Sequence, residues 1–157
     1  MRRFGMVALS GWFWLVGCAP PPSPPEPPFH TVTDMKQLMS WVLDPAADVI
    51  WGAAGTISTE EGVQDLAPTT DQGWAEVRNA AAVVAECGNL LMLPGRVHDG
   101  EDWMEFAQGL TDIGQKAIVA AEARDSDAVF DVGGELYNVC TACHQRYMLP
   151  PEESSAP

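Results

Sequence analysis

The sequence predicts an all-α fold, an antiparallel up-and-down bundle of four helices within residues 31–148. Apolar residues recur three and four positions apart in four successive segments, which is the spacing of an amphipathic helix. Segments rich in Gly, Pro, Asp and Thr separate them, and no segment shows the alternation of a half-buried strand, so no strand is predicted. Two short connections and one longer one favour antiparallel neighbours.

The first helix is predicted from Met35 to about Ala53, with Asp44-Pro45 inside it. Proline lacks a backbone N–H and clashes with the preceding turn, so it should kink the helix or restart it with Pro45 at the first position. A long connection, residues 56–70, then leads to the second helix.

The other three helices are bounded by recognisable start and stop residues. The second is predicted over residues 71–93 because Pro94-Gly95 stops it, the third begins near Glu101, and Asp125 caps the fourth. The residues expected to face the core are Trp74, Val77, Ala81, Val84, Gly88, Leu91, Trp103, Phe106, Leu110, Ile113, Ala117, Ala121, Val129, Val132, Leu136 and Val139.

The most specific motif is Cys-Thr-Ala-Cys-His at residues 140–144, on the last turns of the fourth helix. The pattern C-x-x-C-H is the attachment signal for c-type haem. On one helical turn, the thiols of Cys140 and Cys143 can each bond a vinyl group of the same porphyrin, and His144 can reach the iron as proximal ligand. The sequence therefore predicts one covalently bound haem c.

The remaining cysteines support neither a zinc site nor a disulfide framework. A zinc site would need two more Cys or His ligands at a partner spacing, and Cys18 and Cys87 stand alone. A disulfide framework is neither needed nor available. Cys87 lies in an apolar helical run, which favours a buried small hydrophobe over a reactive thiol.

The predicted topology also locates the haem. The end of the fourth helix shares one end of an up-and-down bundle with the start of the first helix and with the junction of the second and third. We therefore expect residues 32–43 and 90–104 to wall the haem, and Gly52, Gly55 and residues 56–70 to lie far from the iron.

A bundle of this size, with C-x-x-C-H on its last helix, resembles cytochrome c′, and the resemblance covers residues 31–148. Tyr147 stands where the family has an aromatic residue, but Met148 replaces its usual basic residue. The resemblance implies a haem iron that is either five-coordinate, binding NO or CO, or capped by a methionine of the first helix. The family often forms homodimers through its first two helices, and both monomer and dimer are compatible with this chain.

Two methionines are candidates for the sixth iron ligand. Met35 and Met39 are four residues apart and share a helical face near the start of the first helix. Met39 is the preferred ligand and Met35 the second, although both could be core methionines. His98, in the loop 94–100, is a third candidate, and a loop histidine is more often solvated.

The N-terminus predicts export to the bacterial periplasm. A basic start and an apolar run over residues 4–16, too short to span a membrane, end in Leu-Val-Gly-Cys, which resembles a lipobox. Residues 1–17 are interpreted as a lipoprotein signal peptide and Cys18 as the lipidated residue anchoring the protein to a membrane; an ordinary signal peptide with a chance cysteine is the alternative. Residues 18–30 are expected to form a Pro-rich stalk, and residues 149–157 a disordered tail.

The formal net charge of −14 disfavours nucleic acid as a partner and favours a redox partner protein with a basic patch. Arg96 and Arg146 are placed to meet the haem propionates, or are simply exposed. The predicted function is electron transfer by a membrane-tethered c-type cytochrome, and the alternative is a five-coordinate haem protein that binds NO or CO. An enzyme such as a peroxidase is not predicted, since no distal acid–base pair can be placed.

Overall fold

The computed structural model describes residues 29–148, which are mainly helical. The segments predicted to be a signal peptide (residues 1–17), a lipidated Cys18 with most of a stalk (residues 18–28) and a tail (residues 149–157) lie outside the described residues. The helices are α1 (Met35–Leu38), α2 (Asp44–Trp51), α3 (Asp71–Leu91), α4 (Glu101–Ala123) and α5 (Ser126–Tyr147), with a π-helical turn (Met39–Leu43) between α1 and α2. None of these helices is both long enough and apolar enough to cross a membrane.

The first predicted helix is one continuous helical segment with a wide turn in it. Asp34 begins it with a capping box, because its carboxylate accepts from the Gln37 N–H while the Gln37 side chain accepts from the Asp34 N–H. In the π turn, the Asp44 N–H bonds to the Met39 carbonyl five residues back. Pro45 follows in the first turn of α2. The interruption predicted at Pro45 is therefore present, as a widened turn immediately before the proline ring.

The prediction of no strand is wrong. Two four-residue strands, β1 (Thr56–Thr59) and β2 (Gly62–Asp65), pair antiparallel with Thr59 opposite Gly62, so Glu60 and Glu61 form a two-residue turn. Gly62 has φ +137°, a conformation that other residues rarely adopt. Both strands are exposed on both faces, so burial imposes no alternation of apolar and polar residues on them.

Helices α3 and α4 approach each other closely at two glycines. A Cβ built on Gly114 would lie 2.5 Å from the Ala85 backbone nitrogen and 2.7 Å from its Cα. A Cβ on Gly88 would collide with Thr111, whose hydroxyl donates to the Ala85 carbonyl. Backbone therefore packs almost directly against backbone where these helices cross.

Adjacent helices run antiparallel. Trp103, near the start of α4, donates from its indole to the carbonyl of Leu91 at the end of α3 over 2.9 Å. Trp51, at the end of α2, donates to the Gly133 carbonyl in the first half of α5, also over 2.9 Å. The core lies between these segments, and its most completely buried large side chains are Leu38, Ile50, Leu136, Val77, Val84, Val129 and Cys87.

Candidate functional site

An apolar cleft lies where the N-terminal helical segment, the α3–α4 junction and the last turns of α5 meet. Its lining consists of Met39, Leu43, Leu91, Trp103, Phe106, Ala107, Leu110, Val139, Cys140, Cys143 and His144. Residues from both segments expected to wall the haem, 32–43 and 90–104, are present in this lining. Gly52, Gly55 and the connection 56–70 contribute nothing to it.

The three residues of the haem motif line this cleft together. Because α5 continues to Tyr147, residues 140–144 lie on helical turns, and residues three and four apart share a face. The Cys140 and Cys143 side chains are partly buried, while His144 is more exposed. Desolvation raises the pKa of both thiols, and for Cys140 the neighbouring Cys143 and Asp44 add to the effect. Both thiols are therefore protonated at neutral pH.

Of the three candidates for a sixth ligand, Met39 is the one that lines the cleft. It contributes from the π turn, across from the motif on α5. Met35 is partly buried and packs against the core without belonging to the cleft lining. His98 lies on the surface, with its ring centroid 6.1 Å from that of Trp103 and 5.2 Å from that of Tyr147.

Tyr147 ties the end of α5 to the loop before α4. Its hydroxyl donates to the Asp99 carboxylate over 2.6 Å, and its ring packs edge-on against Trp103 at 5.1 Å between centroids. Partial burial and this hydrogen bond raise the pKa of Tyr147 to about 12. The aromatic residue at position 147 could be recognised in the sequence, but its partner Asp99 could not, because an acidic loop residue carries no mark of the side chain that it contacts.

The two arginines that were expected near the propionates differ in surroundings. Arg146 is exposed, and its guanidinium pairs with Asp102 at 3.2 Å and Asp99 at 3.9 Å. Arg96 is 9% exposed and donates from Nη2 to the carbonyl and hydroxyl oxygens of Thr33. Its Nε and Nη1 atoms are buried and have no hydrogen-bond partner among residues 29–148.

The burial predicted for Cys87 is confirmed, since its side chain is 1% exposed. Desolvation raises the pKa of its thiol to about 11, although the charge of Arg96 acts in the opposite direction. The thiol is therefore neutral at physiological pH and packs as a small hydrophobe.

The donor set of the cleft fits a c-type haem. It offers two thiols for thioether bonds, an imidazole for the iron, a thioether sulfur on another element and an otherwise apolar wall. The described residues contain no cluster of three His, Cys, Asp or Glu side chains suited to a bare metal ion. A haem needs no such cluster, because the porphyrin supplies the equatorial ligands.

The cleft is smaller than a haem. Its volume is about 30 Å³, which is room for about two water molecules. A porphyrin is much larger, so its binding would require the walls to separate.

A second apolar groove, of about 410 Å³, lies between the end of α2 and the first half of α5. Trp51, Phe130 and Tyr137 line it, and Gly133 and Gly134 form its floor on α5. No motif in the sequence marks this groove. It contains no cysteine or histidine and so offers no attachment point for a haem.

No protein-family model, curated protein or solved structure matches this chain.

Proposed function

We propose that this protein is a c-type cytochrome that transfers electrons through one haem attached to Cys140 and Cys143, within an antiparallel four-helix bundle. One observation carries the proposal: Met39 of the N-terminal segment lines the same cleft as the two cysteines and His144 of α5. Met39 and Cys140, the first residue of the motif, are 101 positions apart in the sequence, yet both line one apolar cleft.

Each residue has a defined part in this proposal. The thiols of Cys140 and Cys143 would attach the cofactor covalently, and His144 would ligate the iron through its imidazole. Met39 would supply a thioether sulfur as a second protein ligand, and a His/Met pair would raise the reduction potential relative to a site without the thioether. Leu91, Trp103, Phe106 and Leu110 exclude water. When bound, the haem supplies the reversible one-electron couple.

Replacing Met39 tests the ligand set. In the proposed His/Met protein, the oxidised form shows a weak near-infrared sulfur-to-iron band, and Met39→Ala should abolish it. The variant should become high-spin, bind CO and have a lower reduction potential, because thioether ligation favours the ferrous state. Visible, near-infrared and electron paramagnetic resonance spectra of both oxidation states measure these changes.

Met35→Ala is the matched control for that experiment, because Met35 is on the same helical segment but outside the cleft lining. Its spectra should remain those of the wild type. A wild-type protein that is already high-spin and binds CO or NO would contradict the role of Met39 and favour gas binding. Loss of the band in Met35→Ala alone would assign the ligand to Met35.

We further propose that the cytochrome is a periplasmic lipoprotein tethered through Cys18 and the proline-rich segment. Two or more acyl chains give stable membrane attachment, whereas one chain does not. Cys18→Ala in the precursor should therefore release the protein from the membrane fraction into the soluble fraction, measured by ultracentrifugation and immunoblotting. Equal sedimentation of the variant and the wild type would contradict lipidation at Cys18.

The acidic surface supports a basic redox partner. The net charge is −14, and two exposed acidic residues lie close in sequence to the cleft lining: Asp44 follows Leu43, and Glu101 precedes Trp103 by two residues. Such a surface accelerates association with a basic protein at low ionic strength.

A further inference from the structure

The feature that the proposed function leaves unexplained is the guanidinium of Arg96. It is 9% exposed, and its Nε and Nη1 atoms are buried without a hydrogen-bond partner in the described part of the chain. A buried charge normally has a partner of opposite charge, because desolvation strongly disfavours an isolated ion. An arginine also stays charged, so it cannot relieve this penalty by losing its proton.

The carboxylates nearest in the sequence are engaged elsewhere. Asp34, next to Thr33, accepts from the Gln37 backbone as the N-cap of α1. Asp99, in the same loop as Arg96, accepts from the Tyr147 hydroxyl. The salt bridges within residues 29–148 do not include Arg96. Within this region the chain places a cation inside the protein without an anion beside it.

The position of Arg96 links it to the cleft. Its loop joins Leu91 to Trp103, both of which line the cleft and are hydrogen-bonded to each other. Its Nη2 donates to the Thr33 carbonyl oxygen over 3.0 Å and to the Thr33 hydroxyl over 3.2 Å. Thr33 lies just before the helical segment that contains Met39. Arg96 is not one of the lining residues, but it joins the start of the Met39 segment to the α3–α4 junction, and both of these segments contribute residues to the lining.

We infer that Arg96, in the loop between the cleft-lining residues Leu91 and Trp103, is a carboxylate-binding residue, and that the carboxylate it binds is a propionate of the haem. This inference rests on the proposed function. It also separates the two arginines, because the Arg146 guanidinium is exposed and already paired with Asp102 and Asp99. Three N–H donors remain on Nε and Nη1, enough to satisfy a carboxylate.

The test compares three variants of the full-length, haem-loaded protein. Arg96→Gln removes the charge, Arg96→Lys keeps it, and Arg146→Gln is the matched control. The midpoint potential of Arg96→Gln should fall below that of the wild type, because an uncompensated propionate favours the ferric state. Arg96→Lys should recover part of the shift, and Arg146→Gln should keep the wild-type potential. Potentiometric titration measures each value, and a pyridine haemochrome assay measures covalent haem.

The outcomes distinguish the inference from the function on which it rests. The inference is supported if Arg96→Gln holds covalent haem at a lowered midpoint potential and Arg96→Lys recovers part of that shift. A wild-type potential in Arg96→Gln would overturn it and leave the proposed function intact, as would an equal fall in Arg146→Gln. If Arg96→Gln does not fold, the comparison is between Arg96→Lys and Arg146→Gln. A lower midpoint potential in Arg96→Lys supports the inference, and equal potentials in these two variants overturn it. A wild-type protein without covalent haem would overturn both.

Discussion

Gly114→Ala should lower the free energy of unfolding by about 2 kcal/mol, within the range for overpacked cores. The added Cβ would lie 2.5 Å from the Ala85 nitrogen and 2.7 Å from its Cα, and backbone atoms cannot turn away as a flexible side chain can. The gain of about 1 kcal/mol in helix propensity from Gly to Ala offsets only part of this cost. Urea unfolding followed by circular dichroism measures the difference.

Gly134→Ala is the control with the opposite expected sign. Gly134 lies in α5, and its added Cβ would meet no atom within 4 Å. Alanine should therefore stabilise the protein by up to about 1 kcal/mol through helix propensity alone. Equal stability of the Gly114 and Gly134 variants would contradict the close approach of α3 and α4.

Cys143→Ser should abolish most of the holoprotein. The hydroxyl cannot form the thioether, and the single remaining bond from Cys140 holds the cofactor at one vinyl position only. In the wild type, acid–acetone extraction should leave the colour with the polypeptide. The measurement is the pyridine haemochrome spectrum per mole of purified protein.

Cys87→Ala provides the matched control, because Cys87 is 1% exposed in the core and does not line the cleft. This variant should keep a full complement of haem with a modest loss of stability. Free extraction of haem from the native wild type would show that the motif does not form thioethers, and the assignment of the cofactor would then be wrong.

The helical elements could be predicted because their ends carry local chemistry. Thr70 and Asp125 cap α3 and α5 through their side chains, and Pro94-Gly95 lies just beyond the end of α3. The hairpin at residues 56–65 could not be predicted from periodicity, because neither of its faces packs against the core. Its sequence does contain β-branched residues and a glycine, Gly62, at a turn, and both features favour a hairpin. They are weaker signals than periodicity, and no alternation accompanied them.

The cleft was predictable only in part. The antiparallel order of four helices was enough to expect residues 32–43 and 90–104 beside the motif. The buried environment of Arg96 was not, because a charged loop residue is usually exposed and its burial depends on Thr33, which is 63 residues away. Long-range pairs of polar side chains leave no periodic trace in one sequence.

The π turn keeps the core continuous across the bend in the N-terminal helical segment. In an uninterrupted α-helix, residues three or four apart share a face, and residues five apart do not. Here Leu38 and Leu43, five residues apart, are 1% and 6% exposed, so both face the core. A turn that contains one extra residue brings these two leucines onto one side. Met39 and Leu43 both line the cleft, so the same turn contributes to the core and to the cleft wall.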